Sequence, residues 1–127
     1  MIPTTIAATA FVAILAVLAV FQIALAAGAP LGRLAWGGKN RILPTRNRIA
    51  SLASVAVYAL IALVALDRSG LVDVLPELVA RIAMWVIFGY LVVSIVPNLL
   101  SKSPMERAVM TPVSALLAVL ALVVALG

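Results

Sequence analysis

Gln22, Ser54, Tyr58, Tyr90, Ser94, Asn98 and Ser114 are polar groups set inside otherwise apolar stretches, where any binding chemistry would have to use them. Their spacing is helical. Asn47, Ser51, Ser54 and Tyr58 fall at i, i+4, i+7 and i+11, and Tyr90, Ser94, Asn98 and Ser101 repeat that interval. Such intervals place side chains on one helix face. Thr111 and Ser114, with Arg107 one turn earlier, form a third set, and Gln22 adds a lone amide. Two readings compete. In one, the seven line a polar cavity closed toward one membrane face and open toward the other. In the other, they hydrogen-bond between helices, at about 0.6 kcal/mol each on average. Serine and threonine also bond to their own helix backbone, so for them the second reading is the expected one. A buried amide has more groups to satisfy, which makes Gln22 and Asn98 the informative pair.

A second constellation lies in GAPLGRLAWGGKNRILPTRNR, from Gly28 to Arg48. A structureless connection of that length is uncommon in a compact domain, so order of its own is expected. Its glycines allow backbone angles closed to other residues, and Pro30 and Pro44 set turns. Leu31, Leu34 and Trp36 are apolar enough to dip into a membrane interface. Gly37 and Gly38, followed by Lys39 and Arg41, suggest a turn that holds an anion such as a lipid phosphate. The plainer alternative is a connection pinned by Trp36, whose basic residues only set orientation. No Walker or dinucleotide pattern is present.

The chain contains neither cysteine nor histidine, which removes thiol chemistry, imidazole ligands and histidine-based catalysis. Its four acidic residues lie in or beside connecting segments. Glu106 with Arg107, Tyr58 and Tyr90 are the only acid–base candidates. Glu106 is expected at the surface, ion-paired near Lys102 and Arg107. No catalytic residue, cofactor or metal site is expected.

The elements that must position these groups follow from composition. Hydrophobic residues make up 66% of the 127 and charged residues 10%, too apolar for a water-soluble fold of one domain. Crossing the hydrocarbon core takes about 20 apolar residues as a helix. Thr5–Ala27, Ile49–Leu66, Ile82–Leu100 and Val109–Leu126 each qualify and carry no internal charge. In lipid the backbone must bond within its own segment, so runs of this length read as helices. The expected fold is all-α, a transmembrane bundle of four helices forming a single domain, 1–127. The first span is expected to be retained rather than cleaved, because no positive charge precedes it and its apolar run is long.

Charge then orients the bundle. The first and third connections, 28–48 and 101–108, hold seven basic residues, whereas the second holds only Arg68 and Arg81. The positive-inside rule places 28–48 and 101–108 in the cytoplasm and both termini outside. The net charge of +5 therefore reads as attraction to anionic lipid head groups, not to nucleic acid. In the second connection, Gly70 suits a helix exit, and Pro76 and Glu77 suit a first turn, with Glu77 able to pair with Arg81. Ala13, Ala16 and Ala19 would let the first helix approach a neighbour closely.

The runs GAPLGRLAWGGK, LPTRNRIAS and NLLSKSPMERAVMTP, spread between Phe21 and Pro112, carry a likeness. They resemble a family of short bacterial four-helix integral membrane proteins of unassigned function, marked by a GAPxGxxxWGG loop. The resemblance implies four spans and a bacterial plasma membrane, and it brings no reaction or substrate.

Three functional classes remain. The expected one is an accessory or lipid-binding protein whose partners are anionic membrane lipids, a second copy or another membrane protein. The alternative is a small oligomeric transporter or channel with a polar cavity open to the cytoplasm. Proton coupling would need an embedded carboxylate, and none lies within the spans as drawn. The third is an enzyme acting on a membrane lipid.

Overall fold

The computed structural model describes residues 3–127 as four long α-helices. They are α1 (Thr4–Ala26), α2 (Thr45–Arg68), α3 (Glu77–Leu99) and α4 (Pro104–Leu126). Each is long and apolar enough to cross a membrane, which makes this a multi-pass membrane protein. A helix of 23 residues, the length of α1, α3 and α4, rises about 34 Å, enough for a hydrocarbon core of about 30 Å. The helices run further than the apolar stretches alone suggest. Helix α2 begins at Thr45, α3 at Glu77 and α4 at Pro104, because proline and polar residues are tolerated in a first turn beyond the hydrocarbon.

Sequential helices pair antiparallel. α1 packs on α2, α3 on α4, and α4 closes the bundle against α1, while α2 and α3 are the loosest neighbours. Helix α4 is the central member. Leu117, Ala121, Val124 and Ala118 face inward at three- and four-residue intervals and meet Phe11 and Leu15 of α1, Ile61 and Val64 of α2, and Met84 and Leu91 of α3. Between apolar helices in lipid, van der Waals fit supplies much of the attraction. Ala7 and Ala8, fully buried, are the small residues that bring α1 close. Ala13 and Ala16 are exposed on its outer side, contrary to the close-approach role their spacing suggested.

The exits of α1 and α2 have defined turns. Ala29 N–H returns to Ala24 C=O with Gly28 at φ +98°, and Leu71 N–H returns to Leu66 C=O with Gly70 at φ +86°. Both are six-to-one closures that need a left-handed residue, which glycine adopts without Cβ strain. Asp67 Oδ2 accepts from the amides of Val74 and Leu75, each at 2.8 Å, and so shapes the α2–α3 connection. Glu77 and Arg81 pair at 3.1 Å, as their spacing allows. Arg68 Nη2 donates to Ala125 C=O at 3.1 Å, a cation on the last turn of α4.

Candidate functional site

The α1–α2 connection decides the shape of the opposite end, where Arg33, Lys39, Arg41 and Lys102 gather (hereafter the basic end). Two 3₁₀ turns, Gly32–Leu34 and Trp36–Gly38, fold back on the bundle. Gly32 N–H donates to Arg41 C=O at 2.8 Å and closes the connection into a ring. Ala35 and Leu43 are buried against Leu25, with Phe21 beside them. Arg48 Nε holds the Leu43 carbonyl at 2.9 Å. Ser103 Oγ donates to Arg33 C=O at 2.5 Å, tying the connection to the start of α4. The connection is thus a structured floor.

Above it, lined by residues of all four helices, is a cavity of about 270 Å³. Its wall holds Gln22 from α1, Ser54 and Tyr58 from α2, Tyr90, Ser94 and Asn98 from α3, and Ser114 from α4. Leu34, Ala35 and Trp36 of the floor join them. The linings from α1 and α4 are mostly buried, whereas Tyr90 is 57% exposed, and Pro97 and Trp36 are exposed too. The cavity therefore opens sideways, through the loose α2–α3 seam, with Trp36 at the rim.

Several polar atoms in the wall are already spent. Ser54 and Ser94 donate to Ala50 and Leu91 carbonyls of their own helices. Asn98 Nδ2 donates to Ser114 Oγ at 2.6 Å and so joins α3 to α4. Gln22 differs: it is 8% exposed, and its Oε1 is buried with no hydrogen-bond partner among the described residues. An unsatisfied buried acceptor costs free energy, and this oxygen is closed off from the cavity surface. Asn98→Leu should lower stability by about 0.6 kcal/mol, the usual worth of one interhelical bond in a bilayer. Thermal unfolding in detergent would check this, and a loss several times larger would mean that Asn98 does more than join two helices.

Glu106 corrects the reading from sequence. It is only 6% exposed and lines the cavity. The only ion pair among the described residues is Arg81–Glu77, so neither Lys102 nor Arg107 neutralises it. Arg107 instead donates to Ser101 C=O at 2.9 Å. Ser103-Pro-Met-Glu106 has the form of a capping box, in which the glutamate reaches back to the cap amide. Half of the box forms, with Glu106 N–H on Ser103 Oγ at 3.4 Å. The other half does not, because Ser103 N–H donates to Ser101 Oγ at 3.1 Å. The carboxylate is left to face the cavity, with the N-terminal end of α4 offsetting part of its burial cost.

In the glycine turn one of the two glycine amides is already used. Gly38 N–H is taken by Ala35 C=O, and Gly38 lies against the Ser103 side chain. Gly37 is open, and Lys39 and Arg41 are exposed on the outer surface, outside the cavity. Trp36 takes φ +53°, a left-handed angle rare for a bulky residue. Its indole N–H donates to Ser51 Oγ at 3.1 Å, on a serine that is wholly buried. Strain of this kind, about 1–3 kcal/mol, persists only where surrounding contacts enforce it. Comparisons with protein-family models, curated proteins and solved structures found no match.

Proposed function

We propose that this protein binds an amphiphilic molecule that enters the cavity sideways from the surrounding leaflet, as an accessory or lipid-binding protein and not as an enzyme. One observation carries this reading: a cavity with apolar and aromatic walls and a few polar side chains, Gln22 and Glu106 among them, opens beside the exposed Tyr90 and Trp36. Pockets for small molecules typically combine apolar walls with a few uncommitted polar groups. The excess of Lys and Arg at the basic end supports a cytoplasmic location for it. The opening would then face the inner leaflet of a bacterial plasma membrane. In this reading Lys39 and Arg41 attract anionic head groups at the surface, outside the cavity.

Native mass spectrometry of protein extracted with its lipids tests the reading, using Ser94→Trp to fill the cavity and Lys39→Ala with Arg41→Ala to discharge the floor. A defined adduct should persist on the wild type and on the discharged variant and disappear from Ser94→Trp. An adduct insensitive to Ser94→Trp, or none on the wild type, would overturn it. Loss only from the discharged variant would move the site to the loop surface.

A transporter is the second reading, favoured by Glu106. Intramembrane carboxylates commonly mark substrate or ion paths. Flux into proteoliposomes that vanishes with Glu106→Gln would support transport over binding alone.

A further inference from the structure

The wall of the cavity is asymmetric in what it offers a ligand. Four of its donors are committed: the Trp36 indole to Ser51, the Asn98 amide to Ser114, and the Ser54 and Ser94 hydroxyls to helix carbonyls. The one formally charged group in that wall is the Glu106 carboxylate, which is in no ion pair. No lysine or arginine lines the cavity. An anionic group placed there would meet a buried carboxylate and no cation.

The aromatic residues point the same way. Both tyrosines of the chain, one of its two tryptophans and one of its three phenylalanines line this single space. Aromatic faces attract cations electrostatically, and walls of several rings are the recognised means of holding quaternary ammonium groups. The strained Trp36 is held at the rim by its bond to Ser51, so the ring is fixed before any ligand arrives.

We propose that the ligand of this cavity carries an organic ammonium group, with Glu106 as its counter-ion and Phe21, Trp36, Tyr58 and Tyr90 as its aromatic surround. This rests on the binding function proposed above and names the chemical class that the cavity selects. The apolar remainder of the ligand lies toward the α2–α3 opening, where the wall turns to lipid. The charge of the ligand replaces the missing cationic partner of Glu106.

The test is calorimetric titration of the purified protein in an uncharged detergent with benzyltrimethylammonium, alongside neopentylbenzene, its neutral counterpart of the same shape. The cation should bind, and the neutral compound should bind at least about tenfold more weakly. Glu106→Gln should weaken the cation by a similar factor or more and leave the neutral compound unchanged. Tyr58→Leu, which keeps the carboxylate, should also weaken the cation and serves if Glu106→Gln does not fold. Equal binding of both compounds, or cation binding indifferent to both variants, overturns the proposal. If lipid adducts respond to Ser94→Trp but the cation does not bind, the binding function stands and the ammonium assignment fails. If neither is seen, both fail.

Discussion

Gly32→Ala is expected to destabilise the protein by about 3 kcal/mol, at the upper end of overpacking costs, although it adds a single methyl group. A Cβ at Gly32 would overlap the Asn40 carbonyl oxygen and crowd that of Arg41. Both obstacles are backbone, so no side-chain rotation relieves them. The Gly32–Arg41 hydrogen bond closes the ring of the floor, and opening it frees Leu34 and Trp36 from the cavity mouth. The signature is a lower unfolding temperature with a red-shifted Trp36 emission, read in a Trp85→Phe background. Gly89→Ala is the matched comparison. Gly89 is inside α3 with no atom within 4 Å of its added Cβ. There alanine should be neutral, or stabilising by up to about 1 kcal/mol, because it restricts the backbone. Equal effects at the two glycines would show that the floor does not close as described.

Ala8→Phe is the second large effect, expected to cost about 3 kcal/mol. Ala8 is fully buried within the cluster that α4 organises. In lipid, apolar helices gain little by leaving their surroundings, so their association depends on close fit. A phenyl group at Ala8 forces α1 away from its neighbours and removes contacts along the whole interface. Ala16→Phe makes the same change on the exposed side of α1 and should stay within about 0.5 kcal/mol of wild type. Denaturation in mixed micelles, with helicity as the signal, measures both. A tolerated Ala8→Phe would mean that α1 does not pack through that face.

Several features of the site were legible because they depend on local spacing. The intervals within α2 and α3 put Ser54 with Tyr58, and Tyr90 with Ser94 and Asn98, on shared faces, and they share one cavity in the bundle. The preference of serine for its own helix backbone was likewise local, and Ser54 and Ser94 follow it. The glycine exit at Gly70 and the Glu77–Arg81 pair are contacts between residues a few positions apart. Asn98 and Gln22 looked equivalent as buried amides, yet one is bonded across helices and the other keeps an orphaned oxygen. Which of the two would find a partner depends on the neighbouring helix.

By itself the sequence determined four apolar helices, their boundaries to within a turn or so, and the faces on which polar residues gather. These follow from hydrocarbon thickness and from the helical repeat, which act along one segment at a time. Only the tertiary structure decided which alanines meet, because alanines lie on every side of α1 and their pattern cannot distinguish lipid from helix. It also decided the fate of Glu106. That carboxylate lies in a polar stretch that reads as surface, and it is buried because Ser103 reaches Arg33, seventy positions away, and draws the floor over the start of α4. A contact at that separation leaves no periodic trace in the chain, yet it gives the cavity its charge.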